Sequence, residues 1–344
     1  MTLATYQYLG ASGFVDAASA QPGISWTLIG SGDDPDTGDI YWGLDRFGRV
    51  DNCLWKQSTT TLAQIEYGYD RASNRTWRMD GVLTGYDELY AYDGLYRLTD
   101  QERGTLNGTQ TAITSGTFEQ QWGLDATGNW KTFKQDNDGN GTWELNQTRT
   151  ANKVNEITDI TNSTGTAWAT PTYDGAGNMI GMPNAGATNT GATIAWTPLT
   201  EAQWDTLTEA QWDTLTENTG TTPQQLSAKY DAWNRLVSIT NGTQKVSEHV
   251  YDARGYRIRK DAYASGTLTE ARHYYYTPGW QCVEERIGTT TTAERQFVWG
   301  LRYIDDLILR DRSTANNGTI NERRYAMQDG NWNTIAICDT TGNT

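Results

Sequence analysis

What this chain can fold into is limited first by an aspartate that recurs directly after tyrosine or leucine. The units "WGLDRFGRVDN" (42–52), "YGYDRASNRTWRM" (67–79), "YAYDGLYRLTD" (90–100), "WGLDATGNWKTF" (122–133), "PTYDGAGNMIGM" (171–182), "AKYDAWNRLVSI" (228–239) and "HVYDARGYRIRK" (249–260) align on Asp45, Asp70, Asp93, Asp125, Asp174, Asp231 and Asp252. In five of the seven the third residue after the aspartate is Gly48, Gly128, Gly177, Asn234 or Gly255. Aspartate opening a type I turn, closed by a residue tolerant of positive φ, is the chemistry of a tight reversal between antiparallel strands. Alternating residues such as Ile65, Tyr67 and Tyr69 before the aspartate, and Leu236 and Ile239 after another, suit half-buried strands. Each unit therefore reads as strand, turn, strand, with the preceding aromatic packing across to a neighbouring hairpin. The intervals of 25, 23, 32, 49, 57 and 21 residues between these aspartates leave room for extra strands. They favour a continuous winding sheet over a propeller of equal blades.

Composition agrees with an all-β chain. Fifteen Trp, 19 Tyr and 35 Gly stand among 344 residues of which 36% are hydrophobic, a balance that favours strands and turns. A net charge of −15 repels phosphate backbones and anionic membrane surfaces, so nucleic acid is excluded as a general partner. No apolar run of about 18 residues marks a membrane span. The opening "MTLATYQYLGASGF" carries no secretory signal. Cys53, Cys282 and Cys338 are too few and too scattered for a disulfide framework or a zinc site, and read as buried free thiols.

The seven units resemble the YD repeats of the Rhs and teneurin proteins. "QFVWGLRYIDDLILRDR" (296–312) with "RYAMQDGNWNTIAICDTTGN" (324–343) is similar to bacterial Rhs-type proteins in particular. The resemblance spans nearly the whole chain, 1–344, as a single β-shell segment. It implies YD-repeat hairpins in a continuous spiralling antiparallel sheet, part of a hollow shell that in bacterial toxins walls off a carried polypeptide and in teneurins forms an adhesive ectodomain. It further implies a secreted or cell-surface bacterial protein whose export signal lies outside this segment. Rhs shells close with a motif of the type DPxGRF…DP that releases C-terminal cargo, and no such motif occurs here. The expectation is a segment of a longer polypeptide, or a unit whose open terminal strands pair with further copies.

Three insertions invite chemistry. "DNDGNGTWE" within 136–147 sets Asp136, Asp138, Asn140, the carbonyl of Thr142 and Glu144 at alternating positions, with Gly141 sixth, as in the start of an EF-hand-like calcium loop. Gln147 replaces the bidentate glutamate at the twelfth place and no helix flanks the loop, so a solvated acidic turn competes with calcium. "GSGDDPDTGD" (30–39) offers Asp33, Asp34, Asp36 and Asp39 without the ordered spacing, and reads as a turn. The duplicated octapeptide over 199–217, with Thr200 and Thr208 each three residues before a glutamine, predicts a short helical insertion, a packing element or a docking surface carrying Trp204 and Trp212.

Catalytic constellations are weak. His249 and His273 lie in strand-like contexts away from any nucleophile motif, and no phosphate loop or nucleophile elbow accompanies them. Asp305 and Asp306, read as strand neighbours, point to opposite faces, which favours structural pairing with Arg302 or Arg310 over a dyad. The expectation is a non-enzymatic scaffold without a certain cofactor. Adhesion or self-assembly through terminal strands is the alternative, and a cryptic enzyme ranks last.

Overall fold

The computed structural model describes residues 4–9, 14–20, 23–28, 43–45, 47–188, 223–301 and 303–344. Both the acidic stretch 30–39 and the octapeptide insertion 199–217 lie outside these residues, as does Arg302. Among the described residues every regular element is a strand.

The first sheet holds β1 (Ala4–Leu9), β2 (Phe14–Ala20), β3 (Ile24–Thr27), β4 (Asn52–Gln57), β5 (Thr60–Tyr69), β6 (Arg75–Asp80), β7 (Asp87–Tyr92), β8 (Leu98–Leu106), β9 (Ile113–Leu124), β10 (Trp130–Asp136), β11 (Leu145–Ala151) and β12 (Ile157–Thr164). The second holds β13 (Thr172–Tyr173), β14 (Met179–Thr188), β15 (Pro223–Tyr230), β16 (Leu236–Asn241), β17 (Gln244–Tyr251), β18 (Arg257–Ala264), β19 (Thr267–Tyr276), β20 (Cys282–Ile287), β21 (Arg295–Trp299), β22 (Leu307–Arg312), β23 (Glu322–Gln328) and β24 (Thr334–Cys338). In both sheets each strand lies between its sequence neighbours, in the order β1 to β12 and β13 to β24. Such an order follows from short hairpin connections, because sequential antiparallel strands need no crossover. Between β12 and β13 the ladder breaks. Side chains span the gap: the Ile157 N–H donates to the Tyr173 hydroxyl at 3.2 Å, and the Trp168 ring lies 5.5 Å from the Arg149 guanidinium.

Over most of its length the wall is one layer thick. β6, β16 and β20 contain no fully buried residue. The core forms where the end of the second sheet lies against the start of the first. Alternate residues Ile24, Trp26 and Leu28, then Cys53 and Trp55, then Ala63, Ile65 and Tyr67, share one buried cluster with Leu309, Tyr325, Met327 and Cys338. Strand periodicity puts every second residue on this face, which is why the apolar positions alternate. Polar bonds pin the same junction: Trp55 Nε1 donates to the Gln328 carbonyl at 2.8 Å, and Gln57 Nε2 to the Thr341 carbonyl at 2.9 Å.

Two sequence expectations need correction. Asp305 and Asp306 precede β22 in a turn, where Gly300 N–H donates to the Asp306 carbonyl at 2.7 Å and Asp306 N–H to the Tyr303 carbonyl at 3.2 Å; Arg310 pairs with Glu322 instead. The turn wins because the Gly300 backbone closes on Asp306 so tightly that a Cβ there would strike its carboxylate. Cys53 and Cys338 are buried free thiols as expected, whereas Cys282 is half-buried, since β20 belongs to the single-layer part of the wall.

Candidate functional site

The repeated turns form one structural device. In the Asp231 unit the aspartate N–H donates to the Arg235 carbonyl at 2.9 Å, and Asn234 N–H to the Asp231 carbonyl at 3.0 Å. The Asp231 Oδ1 accepts from the Trp233 and Arg235 amides at 2.9 and 3.0 Å, while Oδ2 accepts from Arg235 Nε at 2.7 Å. This is a type I turn closed by a left-handed residue. Asp45, Asp70, Asp93, Asp125, Asp174 and Asp252 repeat the backbone pair and the two amide contacts to Oδ1. The fourth turn residue has positive φ in all seven: 75° at Gly48, 70° at Ser73, 62° at Tyr96, 93° at Gly128, 83° at Gly177, 58° at Asn234 and 90° at Gly255.

Hydrogen bonding holds the carboxyls of Asp45, Asp70, Asp93, Asp125, Asp174 and Asp231 low. Although burial opposes it, amides and the Arg49 guanidinium lower Asp45. Asn129 and Thr127 side chains lead in lowering Asp125, and Asn178 in lowering Asp174.

Sequence spacing finds seven of these turns, and the structure adds more. Asp329, with Trp332 at φ 67°, and Asp339, with Gly342 at φ 86°, make the same bonds. Asn107 and Asn152 replace the aspartate with a neutral acceptor of the same shape, and Thr277 keeps the backbone pair and one amide contact, the Gly279 N–H donating to its hydroxyl at 3.3 Å. A shared Asn or Arg four residues after the acceptor is the signal that would have found Asp329 and Asp339.

The turns at Asp45, Asp70, Asp93, Asp125, Asn152, Asp174, Asp231, Asp252, Thr277 and Asp329 fall on alternate connections from β3–β4 to β23–β24, all but β21–β22, so they line one rim of the wall. Side chains staple them together in both directions. Backwards, the tyrosine before the aspartate reaches a carbonyl of the preceding unit: Tyr69 to Val50 at 2.8 Å, Tyr92 to Arg75 at 2.8 Å, Tyr230 to Met179 at 3.1 Å, Tyr251 to Leu236 at 2.8 Å and Tyr276 to Arg257 at 3.1 Å. Each accepting residue lies just past its turn, and Arg75, Met179, Leu236 and Arg257 sit beside the register shifts that interrupt the ladder at Tyr69, Tyr173, Tyr230 and Tyr251. Forwards, Arg49, Arg97 and Arg235 donate through Nη1 to the carbonyls of Asp70, Asp125 and Asp252 at 2.9, 2.7 and 3.0 Å. The aromatic therefore does more than pack, because its hydroxyl satisfies a backbone acceptor.

The acidic loop 136–144 closes on itself. Asp136, buried, accepts from the amides of Asp138 and Gly139 at 3.1 and 2.7 Å through Oδ1 and from Gly141 at 2.6 Å through Oδ2. Those amides hold its carboxyl below the ordinary range against the opposing effect of burial. Carboxylate oxygens of Asp136, Asp138 and Glu144 lie within 4.8 Å of one another. Asn140 and Thr142 are drawn into the loop's own bonding, the Thr142 N–H donating to Asn140 Oδ1 at 2.8 Å.

A second group, Asp100, Glu102 and Glu119, meets the same 4.8 Å limit on β8 and β9. Burial raises all three, and like charge adds to it at Glu102 and Glu119. His249 is buried with Nε2 3.2 Å from Ser247 Oγ. Its Nδ1 has no partner, so no carboxylate orients the ring as a triad requires. Burial, then Arg257 and Lys260, lowers its basicity.

No family model and no curated protein matches this chain. Solved structures do. The chain is similar to one in the structure of the Photorhabdus luminescens Tc holotoxin pore with a TccC3 mutation, at 12% identity and a TM-score of 0.62, over 99% of this chain and 15% of that one. It is also similar to chains in the crystal structures of TcdB2-TccC3-Cdc42, at 12% identity and TM-score 0.59 over 99% and 15%, and of TcdB2-TccC3, at 13% identity and TM-score 0.58 over 100% and 16%. At this identity the likeness is one of fold, and it supports the Rhs-like architecture. The chain spans about a sixth of the length of these neighbours. Among the described residues no helix is long and apolar enough to cross a membrane.

Proposed function

We propose that this chain is a non-catalytic wall segment of a large bacterial YD-repeat protein of Rhs type, secreted or displayed at the surface, which encloses a polypeptide cargo such as a toxin. The observation that carries the reading is a single-layer sheet stapled along one rim by Tyr and Arg contacts and doubled where its ends overlap. A wall needs a continuous hydrogen-bonded surface and a stable closure more than it needs a cleft. The likeness of fold to TcdB2-TccC3 chains adds support. Cryo-electron microscopy of the parent polypeptide tests it. Density for a protease-protected segment inside the wall is expected. Concentration-dependent filaments joined through the open edges of β1 and β24 would overturn the container in favour of self-assembly.

A second reading, calcium at the acidic loop, is favoured by the convergence of Asp136, Asp138 and Glu144. The fit is partial: amides occupy both oxygens of Asp136 and one oxygen each of Asp138 and Glu144, which leaves few free donors for an ion that takes six to eight. Calorimetric titration with calcium should then give a saturable heat that Asp138→Asn weakens. A flat titration leaves the loop as an amide-latched turn.

A further inference from the structure

The overlap of the chain's two ends also shapes a pocket, of about 400 Å³, lined by Gly48, Arg49, Val50, Tyr69, Ser73, Arg75, Gly330 and Asn331. Its charged lining is entirely cationic, in a protein of net charge −15. The two arginines differ. Arg49 is committed, pairing with Asp45 and donating through Nη1 to the Asp70 carbonyl at 2.9 Å and to Ser73 Oγ at 3.1 Å. Arg75 forms no ion pair among the described residues; its guanidinium stacks on the Tyr67 ring at 4.0 Å and its Nε is buried without a partner.

The nearby carboxylates are occupied elsewhere. Asp70 accepts from the Ala72 and Asn74 amides and from Asn74 Nδ2. Asp329 accepts from the Tyr67 hydroxyl at 2.5 Å and from the Asn331 and Asn333 amides. A half-buried guanidinium with one unmatched donor and no ion pair favours an anion that brings its own oxygens, and planar or tetrahedral oxyanions match its fork. Beside it, Ser73 Oγ accepts from Arg49, which leaves its O–H to donate.

We propose that this pocket binds an oxyanion group, a carboxylate or phosphate, with Arg75 as the principal ligand and Ser73 and Asn331 as secondary donors. Because Gly330 and Asn331 come from one end of the chain and Arg49 to Arg75 from the other, a bound anion would also clamp the overlap. The site is independent of whether the wall holds cargo.

Isothermal titration of the full chain with inorganic phosphate, citrate and a capped Asp-Glu dipeptide tests the proposal, and the three arms separate free anions from an acidic peptide as the source. Saturable binding of at least one probe is expected, weakened about tenfold or more in Arg75→Gln, in line with loss of a charge-assisted pair. Ser73→Gly should weaken it about threefold, while the turn survives because glycine is at ease at φ 70°. Arg254→Gln, on the same rim but outside the pocket, should bind as the parent does. Absence of saturable binding for all three probes overturns the proposal, as does undiminished binding in Ser73→Gly and Arg75→Gln. Should Arg75→Gln fail to fold, Ser73→Gly and Asn331→Ala decide by the same criterion.

Discussion

At the scale of single residues, the Tyr-Asp pair combines two backbone repairs. The aspartate satisfies turn amides within its own hairpin, and the tyrosine hydroxyl satisfies a carbonyl of the preceding hairpin. Tyr251→Phe keeps the ring and removes only the bond to Leu236, so it should cost about 1 kcal/mol in chemical denaturation; an unchanged midpoint would mean water replaces the hydroxyl without loss. The fourth turn residue carries the opposite lesson. Tyr96 holds φ 62°, where a side chain is strained by roughly 1–2 kcal/mol, so Tyr96→Gly should raise stability by about 1 kcal/mol once the entropy of glycine is deducted. The turns were legible in the sequence because their chemistry is local: Asp231 and Asn234 announce a reversal by themselves. Asn107, Asn152 and Thr277 were not, since they share a shape and a lone pair with aspartate but not its identity. Nor was the tyrosine's partner, because a carbonyl has no sequence signature.

At the scale of elements, β8 and β9 carry a built-in conflict. Glu102 faces Glu119 across the ladder and Asp100 lies within the same 4.8 Å group. Burial raises each above its ordinary value of 3.8 for Asp100 or 4.5 for the glutamates. A carboxyl with a raised folded value favours the fold when protonated, so this stabilisation is complete below the unfolded value and is lost as pH rises through the folded one. Turn aspartates such as Asp125, Asp174 and Asp339 have the opposite sign. Asp339, lowered to about 2, supports the fold above its ordinary value and loses that support as pH falls through the folded one. Thermal unfolding should therefore show stability rising as pH drops from neutral toward the ordinary carboxylate range, then falling below it. Glu102→Gln should raise the neutral-pH melting temperature and flatten the rise. A mutant curve parallel to the parent's at all pH values would place the conflict elsewhere. The strands were readable from alternation, whereas the clustering was not: Asp100 and Glu119 come together only through a register that hairpin length sets.

At the scale of the whole molecule, stability is concentrated where the chain's ends meet. A single-layer sheet exposes both faces and buries little, so the overlap of β23 and β24 with β3, β4 and β5 supplies most of the fully buried apolar side chains among the described residues. Ile65→Ala and Met327→Ala should each cost about 2–5 kcal/mol, although the residues lie at opposite ends of the sequence. Nothing local predicts this contact; Tyr67 and Asp329 are 262 positions apart, and an alternating apolar strand reads the same whatever covers it. Their hydrogen bond offers the sharpest test. Burial first, then the Asp329 charge, push the Tyr67 phenol far above its ordinary value, so the hydroxyl is a committed donor. Asp329→Asn preserves the turn, because Asn152 makes the same turn elsewhere on the rim, while it removes the charge that Tyr67 faces. In a double-mutant cycle, Tyr67→Phe and Asp329→Asn should show a coupling of about 1 kcal/mol or more. If the two ends instead meet only weakly, the losses will add, and hydrogen exchange in β4 and β5 will be indifferent to any substitution in β23 or β24.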